Sequence, residues 1–199
     1  MKYQLMESPL KGKDFVDFTK KEAKIYFEWY LSEFDNRMEQ LDRYIKATSN
    51  KVVQLDYTVE SLIPLWDWFE DNIFSNPRTE EEVAEEMTGK PEWMRPWIAE
   101  SQKIELITWA IAMDIAIYFG EVFRKNNSGI KWGHVTKPKS HVSYNRPVLY
   151  GFVGNVAFDT RLIVKTCTRK STIERDSERL FNLYYKWIRN IDESVLEKK

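Results

Sequence analysis

The chain lacks most of what usually announces a function. It has a single cysteine, Cys167, so no internal disulfide can form, and a reducing compartment is expected. It has no surplus of either charge: 30 Lys and Arg against 31 Asp and Glu leave a formal net charge of −1. Nothing therefore pulls it bodily toward nucleic acid or an anionic membrane. The small basic clusters "KKEAK" and "RKNN" read as solvated faces. The opening "MKYQLMESPLKGKDF" has no continuous apolar run, so no signal peptide is read there. The most apolar stretch, "ITWAIAMDIAIYFGEVF", has the length of a membrane span but carries Asp114 and Glu121. Each charge inside a span costs about 3 kcal/mol on insertion scales. A buried helix of a cytoplasmic protein is the expectation, with no membrane and no nucleic acid as partner.

Chemical motifs are also missing. There is no P-loop, no G-x-G-x-x-G and no G-x-S-x-G. There is no H-E-x-x-H and no Glu-x-x-His pair of the di-iron type. The two histidines, His134 and His141, lie seven residues apart across an expected turn and could face each other on a hairpin. Two histidines alone rarely make a metal site, so neither metal nor cofactor is expected. Basic neighbours in "KTCTRK" could activate Cys167, but a plain buried thiol is the simpler reading.

What is present is an ordinary globular composition, rich in aromatic residues, in a chain long enough for one domain. The expectation is one domain over 1–199, with an N-terminal segment and long helix over 1–50 and a helical and sheet core over 51–199. The fold class read from the pattern is α+β: several long helices on a small antiparallel sheet from the region 130–155. Thr19-Lys20-Lys21-Glu22 is a capping box. Phe27, Leu31, Phe34, Met38, Leu41 and Ile45 then form one apolar stripe, with Arg37 among the residues off it. The stripe is too short for a dimerising coiled coil and predicts a helix packed on its own domain. Pro64 requires either a kink or a late helix start at Ser61. Thr79 opens a short acidic helix that Gly89 ends. The irregular segment around Trp93 and Trp97 reads as a core-covering connector or a partner-binding loop. A third long helix is read from about Ser101 to Asn126. "IKWGHVT", "HVSYN" and "PVLYGFV" read as strands, "DTRLIVKTC" as strand or helix, and "DSERLFNLYYKWIRNI" as a closing amphipathic helix.

One place needs explaining: Gly120 and Glu121 stand side by side in an apolar helix. Asp114, Tyr118 and Glu121 are spaced four and three apart and share a face. A helix apolar nearly all round is central to its fold, so both carboxylates should be enclosed and partnered. Glycine costs about 1 kcal/mol against alanine in a helix interior. The expected compensation is close approach by a ring such as Trp132, with Glu121 accepting from an indole or backbone N–H. The competing expectation is a pocket where Asp114, Glu121 and His134 converge for acid–base work or ligand binding.

These residues resemble a pattern found in uncharacterised bacterial domains: Leu-Asp-aromatic-Ser/Thr-x-Glu-Ser-Leu, then aromatic-x-Gly-Glu, a short gap and Trp. Here the positions are Leu55, Asp56, Tyr57, Thr58, Glu60, Ser61 and Leu62, then Tyr118, Gly120, Glu121 and Trp132. Where the pattern has Gly-Gly before the tryptophan, this chain has "SGIK". The resemblance covers roughly 52–190 and implies an α+β fold with no established activity; some similar domains look like immunity or accessory proteins. The reading is a non-enzymatic protein-binding module, monomer or homodimer, with a protein partner. The alternative is a small hydrolase or ligand-binding protein using the carboxylate and histidine pocket.

Overall fold

The computed structural model describes residues 3–100 and 102–191, apart from the side chains of Trp97 and Glu100. The fold is α+β, with helices α1 (Lys20–Ser32), α2 (Phe34–Thr48) and α3 (Leu62–Asp71) leading into strand β1 (Ser75–Asn76). Helices α4 (Glu80–Met87) and α5 (Arg95–Glu100) follow, then β2 (Lys103–Ile104) and the long α6 (Leu106–Asn126). The hairpin β3 (Lys131–His134) and β4 (Pro147–Tyr150) precedes α7 (Thr160–Ser171) and α8 (Arg179–Ile188). The strands form two separate antiparallel pairs, β1–β2 and β3–β4.

Helix α6 is the axis of the molecule. Every residue from Asp114 to Phe123 is buried, which is what an apolar helix without a polar face requires. It is the one described helix long and apolar enough to cross a membrane, and most of it lies inside the fold. Helices α2 and α7 pack against it, while α8 packs on α3 and the β3–β4 hairpin on α1. One large core gathers side chains from Tyr3 to Tyr184. A second, small core of Val83, Met87 and Ile98, with Met94 against it, belongs to α4 and α5 alone.

Local chemistry sets the boundaries. Both capping boxes form, Thr19 with Glu22 and Thr79 with Glu82. Gly89, just past α4, takes a left-handed φ of +73°. Helix α3 starts late, with Ser61 as its cap, so Pro64 sits in the first turn where a missing N–H costs nothing.

The structure corrects several expected boundaries. The first helix is two helices that meet at Glu33. The Ser32 hydroxyl donates to the Trp29 carbonyl at 2.8 Å, where it competes with the helix ladder. Helix α6 begins at Leu106 rather than near Ser101, which lies outside the described residues. The preceding residues pair with β1 (Ser75 opposite Ile104) and hold the chain extended. The Glu105 N–H donates to the Phe74 carbonyl at 2.9 Å, and the Phe74 N–H donates to Thr108 Oγ1 at 2.9 Å. "HVSYN" is a run of turns, not a strand. Asn145 there has a φ of +60° and donates from Nδ2 to the Phe15 and Phe18 carbonyls. The segment 159–168, which the sequence reads as strand or helix, is helix from Thr160 in α7, and Asp159 caps it through the Arg161 and Leu162 N–H groups.

Candidate functional site

Helix α6 aims its polar side chains at three separate neighbours. At Gly120 the Trp132 ring lies directly on the helix backbone: a Cβ there would sit 2.6 Å from Trp132 Cη2. The indole Nε1–H then donates to Glu121 Oε1 at 2.7 Å. Arg124, one turn on, donates from Nε and Nη2 to the two Glu121 oxygens at 2.8 and 2.6 Å. The buried carboxylate thus has three donors on two oxygens, which fixes its position and orientation. Beta strand β3 is pinned to α6 by this arrangement. Phe34 and Tyr30 stack edge-on against the same indole.

Asp114 faces α2. Arg37 holds it with a fork, Nε to Oδ1 and Nη2 to Oδ2, both at 2.8 Å, and the Tyr3 hydroxyl donates to Oδ2 as well. Arg37 also donates to the Gln4 carbonyl at 3.0 Å, as Gln40 does at 2.9 Å. The clamp therefore straps the N-terminal segment across α2. Burial pushes the Asp114 carboxyl up to about 6, against the opposing pull of Arg37 and Tyr3. The sequence placed Arg37 off the apolar stripe; it is buried, because its charge is spent on Asp114.

Tyr118 faces the connector before α3. Its hydroxyl accepts from the Tyr57 N–H at 2.9 Å and lies 2.6 Å from Ser61 Oγ. Tyr57 stacks on its ring at 5.0 Å in the left-handed conformation, with a φ of +62°. Asp56 Oδ1 accepts from the Thr58 N–H and hydroxyl at 2.9 and 2.7 Å and folds the turn. The two sequence segments that carried the resemblance, around 55–62 and 118–132, thus meet at one corner.

Convergence of Asp114, Glu121 and His134 does not occur. Glu121 and Trp132 line an open pocket of about 620 Å³ with Arg124, Lys125 and Tyr57, while Asp114 and His134 do not. His134 ends β3 opposite Pro147, with its ring 5.0 Å from that of Phe27. Burial lowers its pKa. His141 does not face it: it sits in the following turn and accepts the Ser143 N–H at Nδ1. No three His, Cys, Asp or Glu side chains are grouped to hold a metal ion among the described residues. Cys167 is buried, which pushes its thiol up to about 11 and away from the reactive thiolate. Another enclosed carboxylate, Glu70, accepts from Ser171 Oγ at 2.5 Å and from the Asp176 N–H, joining α3 to the end of α7.

Two surfaces of the described residues stand out beside these groups. The first is the lobe of α4 and α5, closed off by the β1–β2 pair. Between 75 and 104 it carries seven acidic and four basic residues. Glu80, Glu82 and Glu86 pair with Arg95, Lys103 and Arg78, while Glu81, Glu85 and Glu92 are exposed. Trp93 stands among them 70% exposed; the Trp97 side chain lies outside the described residues. The second is a basic pocket beside α7, of about 390 Å³, lined by Phe15, Trp109, Arg146, Arg161, Lys165 and Arg169 among others. Sequence reasoning missed this pocket. Its signal was the ladder Arg161, Lys165, Arg169, spaced four apart in a segment whose helical state was open.

No protein-family model matches this chain, and neither a curated protein nor a solved structure is detectably similar to it.

Proposed function

We propose that this chain is a non-enzymatic protein-binding module, of immunity or regulatory type, that presents the acidic α4–α5 lobe to a basic surface on a partner protein. The observation that carries the reading is the lobe itself. It has a core of its own, an exposed Trp93 and a rim of glutamates that α4 and its neighbours do not neutralise. An exposed tryptophan on a lobe with an acidic surplus has the anatomy of a binding hot spot. Nothing inside the fold needs Trp93: the large core closes without it. The buried carboxylates support the same reading from the other side. Asp114, Glu121 and Glu70 are each consumed by donors that join elements, so none is free for acid–base chemistry. The resemblance to immunity-like domains agrees with a partner-binding role.

The test is capture from lysate of the source cell with three baits. The parent chain should bring down one stoichiometric protein. A Trp93→Ala bait and a Glu81→Lys/Glu85→Lys/Glu92→Lys bait should lose it, with melting temperatures within a few degrees of the parent. Retention of the same partner on both variants would place the interface elsewhere and sink the lobe reading.

A further inference from the structure

The basic pocket beside α7 has a ligand chemistry of its own. Arg161, Lys165 and Arg169 project from one face of the helix, each one turn from the next. Like charges at that spacing repel and destabilise a helix. Arg146, the residue before β4, joins them, and no carboxylate lines the pocket among the described residues. Asp159, outside the lining, forms an ion pair with Arg161 at 3.8 Å from Nε, too far for a hydrogen bond.

The guanidiniums are positioned but not satisfied. Both lie over the Phe15 ring, Arg146 at 5.2 Å and Arg161 at 5.1 Å, and Arg161 also lies over Tyr30. Arg161 Nη1 reaches the Tyr26 hydroxyl at 3.4 Å. Yet Arg146 Nε and Arg161 Nε and Nη2 are buried without a hydrogen-bond partner among the described residues. A buried N–H with no acceptor is destabilising, more so when charged. On the other wall Trp109 presents its ring, with Lys165 and Arg169 each 5.9 Å from its centre. Ala112, Met113 and Leu162 complete an apolar floor.

We propose that this pocket binds a small phosphate monoester carrying an aromatic ring or base. A phosphate brings two charges and three acceptor oxygens, which two guanidinium forks and an ammonium can share. A carboxylate would answer fewer of these donors. The Trp109 wall and the apolar floor take the ring, and a volume of about 390 Å³ is in the range of small-ligand sites. The proposal does not rest on the acidic lobe.

The experiment is calorimetric titration of the full chain with AMP, adenosine and inorganic phosphate. AMP should bind, inorganic phosphate at least tenfold more weakly, and adenosine without measurable heat. Lys165→Glu/Arg169→Glu, both at exposed positions, should weaken AMP at least tenfold with an unchanged melting temperature. Arg161→Gln should do the same; should it fail to fold, the double variant alone decides. AMP that does not bind, that binds no tighter than inorganic phosphate, or that ignores the double substitution overturns the proposal.

Discussion

Gly120 shows how one residue type can be read against its usual cost. In most helix interiors Gly→Ala stabilises by about 1 kcal/mol. Here the added methyl would enter the space of the Trp132 ring, and overpacking costs about 1–3 kcal/mol. Gly120→Ala should therefore lower the melting temperature, measured by calorimetry. In a Trp132→Leu background the same change should be neutral or stabilising, because the ring that forbids it is gone. Arg37 gives a second prediction at this scale. Arg37→Met leaves Asp114 enclosed without its cation, so the carboxyl rises beyond about 6. An acid raised in the folded state contributes stability at low pH and loses it as pH rises through the folded value. The deficit should reach about 3–5 kcal/mol at pH 8 and shrink toward pH 5. Denaturant titrations at both pH values check this; a deficit independent of pH would contradict it.

At the scale of elements, what the sequence made legible was whatever local chemistry decides. Capping boxes at Thr19 and Thr79 and the late start at Ser61 are written in neighbouring residues. The contact of Trp132 with Gly120 and Glu121 was legible too, since an unfavourable glycine beside a buried acid demands a bulky donor. What was not legible depends on distant partners. Helix α6 starts at Leu106 because β1, far earlier in the chain at Ser75–Asn76, claims Lys103 and Ile104. Arg37 is buried because Asp114 lies across from it. The state of α7 was open because its basic ladder weakens the apolar periodicity, and the basic pocket disappeared with it. The α4–α5 lobe, with a core of four side chains, should open at lower free energy than α6. Amide exchange should therefore be faster in 80–100 than in 111–123 in the free chain.

Across the whole molecule, enclosed charge is used as a set of rivets. Asp114 joins α6 to α2 and the N-terminal segment, Glu121 joins α6 to β3, and Glu70 joins α3 to the end of α7. Such networks fix how the elements meet, and they occupy the carboxylates of Asp114, Glu121 and Glu70 with donors from neighbouring elements. Function is then expected at the surface, at the acidic lobe and the basic pocket. The most direct test of the binding-module reading is amide hydrogen exchange on the chain alone and on the complex captured from its source lysate. The expected result is new protection concentrated in 79–100, the fast-exchanging lobe of the free chain. Protection confined to other surfaces, with the lobe still exchanging as in the free chain, would contradict it.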